Sequence, residues 1–374
     1  MIQQSPNAAP IDEAAELLGI DHVEFWVGNA KQAAFYYQHA FGFQCVAYAG
    51  PETGLKDRAS YVMRQNDIQL VLTTSLLPDG PIADHVRLHG DGVRDVVFRV
   101  RDVDAAYAAL VARGANGVTE PATQEDAHGQ VRRAAIAIYG DTIHSLIARD
   151  DYAGAFLPGF VAREVPKTIP GGLGRIDHVV GNVGWNEMDQ WVEHYTNVFG
   201  FHRFVSFDDS DISTEFTALR SVVVASPKET IKLPINEPAE GKKRSQIEEY
   251  IDYYRGPGVQ HIALTTADIV ATVAELKGRG VLFLDPPAAY YEQLALRLGD
   301  MKLLESMEAL KEQGILVDHD EKGYLLQIFT KPVTDRPTLF FEVIQRRGSD
   351  SFGKGNFKAL FEAIEAEQAR RNTL

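Results

Sequence analysis

The chain has 374 residues and a formal charge of -15 at neutral pH, with 45% hydrophobic and 24% charged residues. That length predicts two domains, each able to bury its own core, and the near-average composition excludes disordered and fibrous classes. The acidic surplus, with no basic stripe carrying interleaved aromatics, excludes a nucleic-acid binder. No apolar run reaches the roughly 18 residues needed to cross a bilayer.

Cys45 is the single cysteine. Neither an intramolecular disulfide nor a cysteine metal cage can form, which fits a reducing, cytoplasmic setting. The opening MIQQSPNAAPIDEAAELLG lacks a basic start followed by an apolar run and reads as soluble and unprocessed.

In chain order, GIDHVEFWVGN predicts a strand, residues 30–40 a helix, and FGFQ the turn that ends it. Gly42 stands there, where a left-handed C-cap favours glycine. GDGVRDVVFRVRDVDAAYAALVARGA then predicts a strand, an N-cap at Asp102 and an amphipathic helix. Residues 151–173, with Pro158, Pro166, Pro170 and a cluster of glycines, predict a linker.

After the linker the same phrases return. RIDHVVGNVGW leads into a helix over 187–198, where Met188, Trp191, Val192 and Tyr195 recur at three and four, and FGFH closes it at Gly200. GPGVQHIALTTADIVATVAELKGRGV matches the earlier phrase at a constant offset of 166 (256 - 90 and 280 - 114), with Asp268 in the place of Asp102. These repeats predict four βαβββ units in an α+β chain: two open β-barrel domains, each from paired units, over residues 1–150 and 174–374. PPAAYYEQLALRLGDMKLLESMEALKEQG predicts a largely helical insertion covering a cavity or an interface. Residues 356–371 place Phe357, Leu360, Phe361 and Ile364 on one face and predict a C-terminal helix packed back on the second barrel.

A mononuclear iron(II) oxygenase needs two histidines and one carboxylate on one face of the metal, with open positions for substrate and oxygen. His178 lies in the first repeated phrase and His261 in the second. Glu342 is the lone charge in PTLFFEVI and points to the same strand face as Phe340. Singly, each is more often an ordinary strand histidine or edge carboxylate. Their coincidence on repeat-equivalent strands favours a metal set. The first half offers His22 and Asp95, but its HSLIAR has no carboxylate where Glu342 falls. Metal binding is therefore expected in the second half alone.

RIDHVVGNV, LPINEP, KKRSQIEEYIDYYRGPGVQHIAL, GYLLQIFTKPVTDRPTLFFEVIQRRG and FGKGNFKALFEAIE resemble the 4-hydroxyphenylpyruvate dioxygenase family. The first half resembles it mainly through GNAKQAAFYYQHAFGF and ADHVRLHGDGV. The resemblance implies a vicinal oxygen chelate (glyoxalase-like) fold and one Fe(II) per subunit on His178, His261 and Glu342. It implies conversion of 4-hydroxyphenylpyruvate and O2 to homogentisate and CO2, a step of tyrosine and phenylalanine catabolism. As substrate-binding polar groups it implies Ser221, Asn236, Gln246, Gln260, Gln327 and Asn356, which suit a hydroxyl and a carboxylate. Pro234 would fix the strand end that presents Asn236, and Phe329, Phe340, Phe352 and Phe357 would stack on the ring and keep water away.

Two other readings stand beside this one. A hydroxymandelate synthase would share substrate, iron and ligands but hydroxylate the benzylic carbon, and a binding module would sequester an aromatic ligand without chemistry. Large Phe329 and Phe357 and the GKGNF phrase favour ring hydroxylation. A symmetric homo-oligomer is expected, with no nucleic-acid or membrane partner. GSDSFGKG misses the phosphate-binding loop because Gly355 stands where a hydroxyl is needed. DHDEKG lacks a full calcium loop and reads as a turn. The charge run over 242–252 reads as a solvated face.

Overall fold

The computed structural model describes residues 13–164, 171–208, 214, 216–287, 289–299 and 301–373. The expectations for the first twelve residues and for Pro166 and Pro170 lie outside the described residues. The first unit is β1 (Leu17–Trp26), α1 (Ala30–Phe41), β2 (Gln44–Ala49), β3 (Arg58–Gln65) and β4 (Ile68–Ser75). After α2 (Pro81–His89), the second is β5 (Gly92–Val100), α3 (Val103–Ala112), β6 (Asn116–Asp126), β7 (Gly129–Ala137) and β8 (Ile143–Ala148). A short β9 (Val161–Ala162) follows. The third unit is β10 (Leu173–Asn182), α4 (Met188–Asn197), β11 (His202–Phe207), β12 (Ala218–Ala225) and β13 (Lys232–Ala239). Past α5 (Gln246–Tyr254), the fourth opens with β14 (Gly258–Thr266) and α6 (Ile269–Gly278). The insertion, α7 (Tyr290–Leu298) and α8 (Met307–Gln313), precedes β15 (Leu316–Asp320), β16 (Gly323–Phe329), β17 (Phe340–Arg347) and the closing α9 (Phe357–Arg371).

Local chemistry sets these boundaries. Asn29, Asp102 and Asp268 each accept a bond from the backbone N–H three residues on, capping α1, α3 and α6. Ser245 and Glu248 form a reciprocal capping box on α5. Gly42 ends α1 at φ 79°, in the left-handed region.

Within each unit the first and last strands pair in parallel, and units join through antiparallel pairing of their first strands, β1 with β5 and β10 with β14. The result is a nine-stranded sheet, with β9 added beside β2, and an eight-stranded sheet with β13, β10, β14 and β17 at its centre. The two halves meet through α1 of the first and the end of α4 of the second. Phe41 packs on Phe341 at 5.1 Å and Phe98 on Phe199 at 6.4 Å, while His144 Nε2 meets the Tyr195 hydroxyl at 2.8 Å. One hydrophobic core therefore runs through both sheets.

The largely helical insertion is built as two short helices, because Gly299 ends α7 at φ 54° and Ser306 caps a new start at α8. The GSDSFGKG loop and the DHDEKG turn bind each other. Asp320, in the turn of the β15–β16 hairpin, accepts the N–H groups of Asp350 and Ser351, and Asp318 accepts that of Gly355. The N–H groups a phosphate would need are answered by the chain's own carboxylates. The charge run is corrected in one member. Glu249 is only 2% exposed and binds Arg371 at 2.8 Å, because α9 folds back across α5. Among the described residues no helix is long and apolar enough to cross a membrane.

Candidate metal centre

The three candidate ligands sit on adjacent central strands, His178 on β10, His261 on β14 and Glu342 on β17. Strand alternation turns Phe340 and Glu342 inward and sends Phe341 out to α1. Two β-bulges aim the histidines. The β10–β14 register skips Asp177 on one strand and Gln260 on the other, and a bulge residue re-aims its neighbours. Each extra residue binds the histidine that follows it: Asp177 Oδ2 lies 2.8 Å from His178 Nδ1, and Gln260 Oε1 lies 2.9 Å from His261 Nδ1. With Nδ1–H donated outward, both Nε2 lone pairs face the centre.

There His178 Nε2 lies 3.2 Å and His261 Nε2 3.5 Å from Glu342 Oε2. Neighbouring ligand atoms on a metal with bonds of about 2.1 Å stand roughly 3 Å apart, so the set fits a divalent ion. Burial acts to raise the Glu342 carboxyl, but the two histidines hold it down at about 2. Burial acts to lower His178, and Glu342 and Asp177 outweigh it, so its pKa is raised; for His261 burial prevails and its pKa is lowered. Asp177 is held below the usual carboxylate range, burial being outweighed by His178 and by the paired contacts from Arg346 at 3.0 and 2.8 Å.

The centre opens onto a cavity. Ser221, Pro234 and Asn236 line it from β12 and β13, with Gln246 from the start of α5 and Gln260 from its bulge. Phe329, Phe340, Phe352 and Phe357 form its aromatic walls. Phe340 stacks on His261 at 4.7 Å and Phe352 meets His178 edge-on at 5.0 Å. Two expected residues stand apart from the lining. Gln327 is buried on β16 against Gly353, where a Cβ would come within 2.4 Å of its side-chain oxygen. The Asn356 side-chain oxygen accepts bonds from the Tyr290 hydroxyl at 2.7 Å and from Arg297 at 3.2 Å, turning toward the insertion. Sequence reasoning passed over Val180, Leu219, Val223, Leu360 and Phe361 on the walls. It also passed over Asp177 and Arg346, although the Asp-His pair recurs in both halves.

The first half keeps the outer arrangement and loses the inner one. Asp21 binds His22 Nδ1 at 2.7 Å and Arg149 at 2.9 Å, as Asp177 binds His178 and Arg346. By register, Asp95 takes the place of His261 and Ser145 that of Glu342. Arg133 reaches between them, 2.8 Å from Asp95 and 3.1 Å from Ser145. A guanidinium thus meets the anionic remnant of the site.

The profile of the Glyoxalase/Bleomycin resistance protein/Dioxygenase superfamily matches residues 19–142 and 175–328, two spans that together follow the repeat. The 4-hydroxyphenylpyruvate dioxygenase of Yarrowia lipolytica is 52% identical over 368 residues, covering 95% of this chain and 93% of that protein. That of Caenorhabditis elegans is 51% identical, covering 96% and 93%, and that of Dictyostelium discoideum 50%, covering 95% and 100%. The chain belongs to the 4-hydroxyphenylpyruvate dioxygenase family. Its relatives in that family are enzymes matched over nearly their full length, so the chain is a dioxygenase with the glyoxalase-type fold. Among solved structures, a triple mutant of 4-hydroxymandelate synthase from Streptomyces coelicolor aligns with a TM-score of 0.84 at 34% identity, covering 94% of this chain and 99% of that one.

Proposed function

We propose that the chain converts 4-hydroxyphenylpyruvate and O2 to homogentisate and CO2, with one Fe(II) per subunit held by His178, His261 and Glu342. The observation that carries this reading is the buried two-histidine, one-carboxylate set opening onto an aromatic-walled cavity. When bound, iron(II) supplies the redox capacity and the Lewis acidity that oxygen chemistry requires. The chain's own part is positional. Asp177 and Gln260 keep the Nδ1 protons and leave Nε2 free. The depressed pKa of Glu342 keeps that carboxylate ionised and ready to ligate at neutral pH.

Phe329, Phe340, Phe352 and Phe357 confine a flat ring and exclude bulk water from the centre. Ser221, Asn236, Gln246 and Gln260 offer donors and acceptors to a phenol and a carboxylate. On this reading residues 174–374 are the catalytic domain, residues 151–173 a linker and residues 1–150 a domain without a complete metal site. The chain works as a cytoplasmic homo-oligomer.

The test is iron analysis together with oxygen uptake on 4-hydroxyphenylpyruvate, the product identified by mass spectrometry and NMR. Homogentisate with one iron per chain is expected. Hydroxymandelate as product, or no oxygen uptake by the iron-loaded protein, overturns the assignment.

A further inference from the structure

His85 and His89 stand one turn apart on α2, a spacing that puts both rings on one helix face, as in helical zinc motifs. Asp141, in the turn between β7 and β8, meets them. One ligand atom from each of the three lies within 4.8 Å of the others. None of them belongs to the centre described above.

His85 is 3% exposed, and neither of its ring nitrogens has a hydrogen-bond partner. Buried polar atoms are nearly always paired, so two on one ring point to a partner that protein groups do not supply. His89 is already arranged as a ligand. Its Nδ1 bonds the Tyr254 carbonyl, its ring stacks on Tyr254 at 4.3 Å, and its Nε2 faces Asp141 Oδ2 at 2.9 Å. A backbone carbonyl on one ring nitrogen is the usual device that fixes the other for a metal. A second proton on His89 would answer Asp141 and still leave His85 with nothing.

The electrostatics agree with this geometry. Burial pushes His85 down to about 3, leaving a neutral ring with a free lone pair. Burial acts to raise Asp141, but His89 and Arg94 outweigh it, so the carboxylate stays ionised. Arg94 donates to the Asp141 backbone oxygen and lies 4.7 Å over the Trp26 ring, so it acts on the carboxylate through its charge and leaves the Oδ atoms to face the histidines.

We propose that His85, His89 and Asp141 bind a divalent transition ion of the zinc(II) class, with water at the open position beside the half-exposed Asp141. Because His89 also bonds the carbonyl of Tyr254, the last residue of α5, the site lies where α2 of the first half meets a helix of the second.

Zinc chloride titrated by calorimetry into the full chain, freed of metal by chelation, tests this. Two zinc ions per chain are expected for the unaltered protein and one for Asp141→Asn or His85→Gln. Glu342→Ala should retain the ion at α2, and zinc should raise its melting temperature. In the double variant Glu342→Ala with His85→Gln, that shift should vanish. Circular dichroism confirms that each variant is folded. A single zinc in the unaltered protein, or two retained in both Asp141→Asn and His85→Gln, overturns the proposal.

Discussion

Asp177 binds His178 on one side and takes two bonds from Arg346 on the other, all within 3.0 Å. Replacing it with asparagine removes the charge that steadies the ring while keeping its shape. Asp177→Asn is expected to weaken iron binding about 10- to 100-fold, read by chelator competition; unchanged affinity would remove Asp177 from the site. Glu342→Ala should abolish turnover and leave the chain with little iron, and activity retained in that variant sinks the ligand assignment. A third residue sets a pH dependence away from the metal. His144 is buried between the Val96 carbonyl and the Tyr195 hydroxyl, each at 2.8 Å, and burial pushes its pKa down to about 4 from 6.5. The unfolded chain therefore takes up the extra proton first. The contribution is complete above pH 6.5, declines as pH falls from 6.5 toward 4, and changes no further below that. The total is on the order of 3 kcal/mol, and His85 acts in the same direction. Urea unfolding across this range should show the slope in the unaltered protein and a shallower one in His144→Gln.

At the scale of elements, α9 decides how closed the cavity is. Phe357, Leu360 and Phe361 line the cavity, and Glu365 accepts from Thr217 at 2.6 Å. At its far end, Arg371 pairs with Glu249 of α5 at 2.8 Å. Arg371→Ala would leave a buried carboxylate without its cation, a loss on the order of 3 kcal/mol. Hydrogen exchange over residues 357–371 should quicken in that variant while β14 and β17 stay protected; unchanged exchange would show that the pair does not hold the helix. Periodicity made α9 legible, because Phe357, Leu360, Phe361 and Ile364 share one face. It could not reveal Glu249. A glutamate on an acidic helix looks solvated until another helix crosses it. The bulges at Asp177 and Gln260 were equally hidden, since an extra residue in a ladder is defined by the strand opposite.

At the scale of the molecule, the two sheets share one core through Phe41 on Phe341 and Phe98 on Phe199. Residues 174–374 expressed alone would expose Tyr195, Phe199 and Phe341, all fully buried in the whole chain. That fragment is expected to bind a hydrophobic dye and aggregate, whereas the full chain should unfold in one cooperative step; a monomeric, dye-silent fragment would refute the shared core. The sequence by itself determined the repeat, the four βαβββ units and which half carries two histidines with a carboxylate. Strand alternation, helix spacing and caps are local, so a run of ten residues encodes each of them. Only the tertiary structure decided which histidine nitrogen faces inward and that Asn356 turns toward Tyr290. The burial of Glu249 and the meeting of His85 and His89 with Asp141 were likewise settled there. Each of these is a contact between residues brought together by packing, and no local period carries it.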